Sequence, residues 1–376
     1  MKKHLQLATL FFAAGLAAAA QTSTTRLYRS SGNEWIQEVT GTLPASKQLR
    51  VKSSAGAIRV QGGQRSSVAY TIREHVRARS EDAARRELSH LYFSTSSGEV
   101  ASLRAECEGS NGGYIDFEVQ APAQTALVKL ETQGGSVTAQ NIAGKLEAST
   151  GGGNIQLDQI RGGISASSGG GNIEIGKVGG DVIVETGGGN IHIDSAAGRI
   201  QARSGGGNLR IGNGKVMDLQ TGGGGITVTK CEGQIKAGTG GGSIELVDIL
   251  GPAQVQSGGG GIKVGPLHGG VRAETGSGPI IATLARGNVF TDSRLETSVG
   301  DITVYVPSDL GVTIRAAVEV SRGYGIRSDF PELKITQGSD HWGPREAYAE
   351  GALNGGGPLL HVHTSSGNIV FKRKEN

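Results

Sequence analysis

His361-Val362-His363 is the pair best spaced for metal chemistry in this chain of 376 residues. On an extended segment alternate residues share a face, so both imidazoles would point the same way. Leu360 and Val362 take the inward parity, which leaves the pair at the surface without an evident third ligand. The glycine runs raise phosphate binding, but none leads into Gly-Lys-Ser/Thr, and no strand–loop–helix pattern surrounds them. A calcium-binding nonapeptide solenoid needs an Asp recurring after its glycines, and Asp158, Asp194 and Asp248 do not form that pattern. Cys107 and Cys231 are the only cysteines, so the chain is no disulfide scaffold. These residues give no catalytic, cofactor-binding or metal-ligating set.

What must position any site is a repeat. Gly-Gly-Gly-Asn-Ile occurs at 151–155, 169–173 and 187–191, and Gly-Gly-Gly-Asn-Leu at 205–209. Four glycines precede Ile226 and Ile262, and Gly-Gly-Gly-Ser-Ile spans 240–244. From Val137 to Ile280 the aliphatic position returns every 18 residues, with one step of 17. Such a period is one supersecondary unit per coil of a solenoid. Within a coil, Ile155 and Leu157 alternate with Gln156, and Ile164 and Ala166 with Ser165, so each coil holds two short strands.

Stacked in register, the coils predict four inward columns. One runs Ile155, Ile173, Ile191, Leu209, Ile226, Ile244, Ile262, Ile280; the others run from Leu157 to Ala282, Leu146 to Val271, and Ala148 to Ala273. Cys231 falls in a further column from Ile160 through Leu267 to Ala285, which predicts a buried, unreactive thiol. A hydroxyl column (Thr150, Ser168, Thr186, Ser204, Thr221, Thr239, Ser257, Thr275) is expected to form a ladder at the glycine corner, beside an amide ladder of Asn154, Asn172, Asn190 and Asn208. The glycines are expected to serve positive φ or close backbone approach, so Gly188 and Gly206 should reject a side chain.

The fold class read from this is all-β: a single-stranded parallel β-helix of ~18-residue coils with one short helix near the start. The organisation reads as a secretory signal peptide at 1–20 and a flexible 21–33. An N-terminal cap with the first coils follows at 34–130, its helix near 80–92. The regular solenoid takes 131–290, and irregular coils with a C-terminal cap take 291–376. The leader has Lys2 and Lys3, an apolar Leu5–Leu16 and Ala18-Ala19-Ala20 before Gln21, and is too short to span a membrane. Ser80-Glu81-Asp82 opens the helix, with Ala84, Leu88, Leu91 and Tyr92 on one face. Residues 118–289 contain no Phe, Tyr or Trp; the aromatics gather at both ends, where they would pack in the caps.

Without Lys2 and Lys3 the formal charge falls from +3 to +1, which argues against nucleic acid as a partner. Outward columns mix Gln156, Glu174, His192 and Arg210, or Glu185, Arg203 and Gln220. Glu185 and Arg203 read as a solvated ion pair, and no two carboxylates stack in these columns. A polysaccharide lyase or hydrolase on a β-helix remains the alternative function, and a periplasmic sensor or regulatory partner a further one.

Leu49-Arg-Val-Lys-Ser-Ser-Ala-Gly-Ala-Ile58, Phe117-Glu-Val-Gln-Ala-Pro122 and Val128-Lys-Leu-Glu-Thr-Gln-Gly-Gly-Ser-Val137, with Thr297-Ser-Val-Gly-Asp-Ile302, Ser328-Asp-Phe-Pro331 and Thr364-Ser-Ser-Gly-Asn-Ile369, resemble the bacterial putative-adhesin β-helix family of unknown function. The resemblance covers most of 34–376. It implies an exported, right-handed β-helix and supplies no catalytic residues. The expectation is a non-catalytic solenoid, periplasmic, associated with the outer envelope or secreted. It would be a scaffold or interaction module for an envelope protein or glycan, with no cofactor and no membrane span after signal cleavage.

Overall fold

The structure, a computed structural model, describes residues 23–108, 112–286, 291–320, 323–337 and 346–374. The leader at 1–20 and the aromatics Phe290 and Trp342 lie outside these residues. The chain is an all-β parallel solenoid. Each regular coil gives one strand to sheet A, as Ile155–Ile160 does, and one to sheet B, as Ile164–Ser168 does. Sheet A contains seventeen strands. At the ~4.8 Å spacing of paired strands it spans about 75 Å.

The four inward columns pair rung for rung: Ile155 with Ile173, Ile173 with Ile191 and Ile191 with Leu209 in sheet A, and Leu146 with Ile164 and Ile164 with Val182 in sheet B. Ile155, Ile173, Ile191 and Leu209 are all buried in one continuous core between the sheets. The 17-residue step removes one residue from the corner before Met217 and leaves both ladders in register, Ile200 with Met217 and Ile211 with Val228. Gly214 holds the inward place there, where a β carbon would lie 2.7 Å from Ile200 Cδ1. At the far end the column through Cys231 departs from expectation. The ladder slips between Val264 and Leu267, so Leu267 pairs with Leu284 rather than with Ala285.

The glycine corner works by close approach. Among Gly187, Gly188 and Gly189, none takes a φ between +20° and +160°. A β carbon on Gly187 would lie 2.1 Å from Gly169 O, and one on Gly189 2.2 Å from Gly171 O, whereas Gly188 faces open space. Gly205, Gly206 and Gly207 repeat the pattern. The expectation for Gly188 and Gly206 is therefore corrected: the outer two glycines of each triplet are the constrained ones. The hydroxyl column also differs from a side-chain ladder. Buried Thr186 Oγ1 donates to Gly171 O (2.8 Å) on the previous coil and accepts from Gly189 N (3.2 Å) on its own. Ser168 and Ser204 do the same, so each hydroxyl clamps two glycine backbones. The asparagines extend the clamp: Asn190 N donates to Asn172 Oδ1, and Asn208 N to Asn190 Oδ1, both at 2.8 Å.

The ends are not simple continuations of the stack. Gln48–Ser53 lies between Val100–Cys107 and Leu127–Thr132, and Ile58–Gly63 between Tyr114–Pro122 and Val137–Ile142. The last coil, Leu359–Ser366 with Ile369–Lys374, inserts between Ser293–Val299 with Ile302–Pro307 and Val312–Val318 with Ile326–Ser328. Antiparallel strands finish the N-terminal end and the C-terminal edge of sheet B, while sheet A ends on the parallel Ile326–Ser328. Glu34–Pro44 sits between Thr24–Arg29 and Ser67–Arg77, and Ala347–Leu353 between Val312–Val318 and Lys334–Gln337. Thr24–Arg29 is thus a strand within the stretch expected to be flexible. Changing strand direction interrupts the parallel template that an open solenoid end offers.

The helix is shorter than expected, Glu81–Leu88, with Ser80 Oγ accepting from Ala83 N. Ala84 and Leu88 are buried, but Leu91 and Tyr92 belong to the strand Leu91–Ser96, paired antiparallel with Val100–Cys107. Strand alternation turns Leu91 inward and Tyr92 outward. Phe117, Phe371 and Phe330 are buried in the caps, whereas Tyr92, Tyr324 and Tyr348 are exposed.

Gly189→Ala should lower the denaturation midpoint by the equivalent of about 1–3 kcal/mol, because the β carbon must displace backbone. Gly188→Ala should stay within about 0.5 kcal/mol of the parent. Equal midpoints for the two variants in urea unfolding would contradict this corner. Thr186→Val strands a buried carbonyl and amide and should cost about 1–3 kcal/mol, where Thr186→Ser costs clearly less in the same assay.

Candidate interaction surface

Sheet B turns two outward columns to solvent, and toward the C-terminal end these carry carboxylates, arginines and histidines together. One runs Gln254, Arg272, Arg294 and His361; beside it run Gln256, Glu274, Glu296 and His363. Glu274 and Glu296 are register neighbours, so two carboxylates do stack one rung beyond the columns read from the sequence. The 22-residue step from Ala273 to Leu295 hid them. The repeated Arg-x-Glu-Thr at 272–275 and 294–297 is the signal that could have found them. Each carboxylate is taken by the arginine two residues before it: Arg272 bonds Glu274, and Arg294 Nη1 lies 3.4 Å from Glu296 Oε1. Gln256 Nε2 also donates to Glu274 Oε2, at 3.2 Å.

His361 and His363 share the outer face, with ring centroids 6.5 Å apart and planes at 14°. They engage different carboxylates. His361 Nε2 lies 3.9 Å from Glu296 Oε1, and His363 Nε2 3.2 Å from Glu319 Oε1. Burial, with the Arg294 cation behind it, holds His361 below the usual imidazole range. A Ser365 hydrogen bond, with His363 nearby, holds Glu319 below the usual carboxylate range. Among the described residues no three His, Cys, Asp or Glu side chains converge as a metal set. Two shallow grooves flank the columns. Glu274, Glu296 and His363 edge one of about 560 Å³ on the glycine-corner side, and Arg272, Arg294 and His361 edge one of about 500 Å³ on the other.

The N-terminal half of this wall is a charge network. Glu131 receives Arg50 (3.3 Å), Lys129 (3.5 Å) and Lys52 (3.7 Å), and Glu147 receives Lys145 (3.0 Å) and Lys129 (3.5 Å). Burial pushes Glu131 up, but the Arg50 hydrogen bond and the three cations outweigh it and hold the carboxyl below its ordinary value. Arg203 faces Glu185 in register, yet its ion pair is with Asp218, at 3.7 Å, and not with Glu185 as expected. Lys263 and Glu245 pair at 2.9 Å across neighbouring rungs of sheet A. Both cysteines are free. Burial raises each thiol above its ordinary pKa, and Cys231 lies fully inside.

One polar cluster went unseen in the sequence. Glu74 occupies an inward position of Ser67–Arg77 and is buried, with Gln37 Nε2 donating to it at 2.5 Å. Burial lifts its carboxyl to about 7, against the partial opposition of Gln37. Next to it His75 stacks on Tyr114, with centroids 4.3 Å apart, and its Nδ1 lies 3.4 Å from Glu34. Strand alternation marks position 74 as inward, but only the cap's antiparallel pairing reveals that it is sealed.

No family model matches the chain, and no curated protein matches it by sequence. Among solved structures, a putative cell adhesion protein from Clostridium sporogenes aligns over 94% of this chain and 100% of its own, at 10% identity and a TM-score of 0.16. A putative adhesin from Bacteroides fragilis aligns over 90% and 97%, at 8% identity and a TM-score of 0.25.

The Glu74 environment has a pH signature. The unfolded chain releases this proton near 4.5 and the folded chain near 7, so between those values only the folded state holds it. Stability should therefore fall as pH rises from about 4.5 to about 7, by up to about 3 kcal/mol, and level off above. Glu74→Gln should flatten that slope in urea unfolding followed by tryptophan fluorescence. An unchanged slope would show that Glu74 does not carry it.

Proposed function

We propose that the chain is a non-catalytic, exported β-solenoid that serves as an adhesin-like envelope scaffold or interaction module. The observation that carries this reading is the wall itself. Along the stack many outward charges pair with one another, rung to rung and along the strand, as in Arg272 with Glu274, Lys263 with Glu245 and Arg50 with Glu131. Such a surface offers a long, regular array of polar contacts held rigid by the core beneath it, the form that repeat proteins use to engage extended partners. The basic, apolar and small-residue regions of the leader support export. The partner class that suits a long polar wall is an envelope protein or a hydrophilic glycan.

Incubation of the purified protein with a panel of polysaccharides should release neither reducing ends nor unsaturated products. Crosslinking in intact cells followed by fractionation should recover the chain in the envelope or medium with a discrete partner. Reproducible turnover that Glu274→Gln or Glu296→Gln abolishes would replace this reading with a carbohydrate-active enzyme.

A further inference from the structure

The corner opposite the glycines carries a groove that differs in character from both grooves on sheet B. It has a volume of about 510 Å³ and is edged by the primary amides of Gln64, Gln124, Asn141 and Gln159 and by the cations Arg161 and Lys177; no carboxylate lines it. We propose that this groove binds a uronate-bearing oligosaccharide, an inference that rests on the interaction-module reading and names the partner's chemistry.

Charge comes first. Lys145, Arg203, Lys230 and Lys263 each lie within salt-bridge distance of a carboxylate. Among the described residues Arg161 and Lys177, like Arg199, Arg210 and Lys236, have no such partner, and these two stand together at one groove. Two acidic groups close to them in the chain are committed to backbone: Asp158 Oδ1 accepts from Lys177 N (3.1 Å), and Asp181 Oδ1 from Arg199 N (2.8 Å), while Glu174, three residues before Lys177, is exposed and does not line the groove. The groove therefore offers two cations to an anion at no cost in broken ion pairs. Arginine in particular meets a carboxylate with two parallel hydrogen bonds.

The backbone supplies the second argument. Asn141 and Gln159 take positive φ, 58° and 54°, which non-glycine residues seldom adopt. The ladder steps over them: Gln140 pairs with Asp158 and Ile142 with Ile160, with no pairing between the two amides. On the following coils Lys177 pairs with Ser195, and Ser195 with Asn213, in ordinary register. Asp248, five rungs beyond Gln159 along the same corner column, also takes positive φ, 49°, so left-handed backbone recurs at this corner, and on the coils of Asn141 and Gln159 it sets amides at the groove.

The third argument is the match of groups. A primary amide presents a donor and an acceptor side by side, as vicinal sugar hydroxyls do. With no aromatic platform in this part of the chain to stack a neutral sugar, affinity must come from charge and hydrogen bonds, which favours an acidic sugar over a neutral one.

The test is calorimetric titration of the purified chain, expressed with its own leader, with tetragalacturonate, maltotetraose and a sulfated dextran oligomer. Tetragalacturonate should bind at least about tenfold more tightly than maltotetraose, and Arg161→Ala/Lys177→Ala should weaken it at least about tenfold. Gln124→Ala should weaken it about threefold, and Lys263→Ala, on sheet A and away from the groove, should leave it unchanged. Absent binding, binding that survives the double variant, or a sulfated oligomer bound as tightly and untouched by Gln124→Ala would each overturn the proposal. Should the uronate fail while crosslinking still captures an envelope partner, the groove falls and the interaction-module reading stands. Loss of both ends both.

Discussion

At one corner of every regular coil the backbone comes so close to the coil before it that a β carbon has nowhere to go. Everything else in the solenoid follows from that approach. It brings the carbonyl of one triplet against the amides of the next, and buried Thr186 or its equivalent bridges the two. It holds adjacent strands in an 18-residue register, so aliphatic residues meet their own kind inside and polar residues meet outside. A chain with side chains at the outer two glycines could keep its inward alternation and still fail to stack, since alternation alone leaves register open.

Once the stack is rigid, its walls acquire character from small departures. A one-residue deletion at a corner is absorbed by Gly214 without disturbing either sheet. A longer excursion after Ala273 brings Glu274 and Glu296 together and, by inserting the last coil, sets His361 and His363 beside them. Positive φ at Asn141 and Gln159 presents amides beside two unpaired cations. These breaks of period give the otherwise uniform wall its local differences.

The core columns, the strand faces and the hydroxyl and asparagine columns were legible because each is a strict consequence of period and alternation. What periodicity could not show was which glycine of a triplet is crowded, since Gly187, Gly188 and Gly189 are identical as letters and differ only in what lies above them. The helix end was misplaced because Leu91 fits the apolar stripe of a helix and the inward face of a strand equally well, and antiparallel pairing with Val100–Cys107 decided it. The insertion of the first and last coils between neighbours distant in sequence leaves no local mark. The groove residues Gln64, Gln124 and Arg161 come together only through that topology, and so does the sealing of Glu74.

The central claim is that successive coils pile in register along one axis. Spin labels at outward sheet A positions read it directly by pulsed electron–electron resonance. Gln156, Glu245 and Thr303 lie on rungs of one column. At ~4.8 Å per rung, labels at 156 and 245 should be separated by about 24 Å, and labels at 156 and 303 by about 38 Å. Separations that failed to grow with rung number, or broad distributions without a preferred distance, would contradict the stacked solenoid.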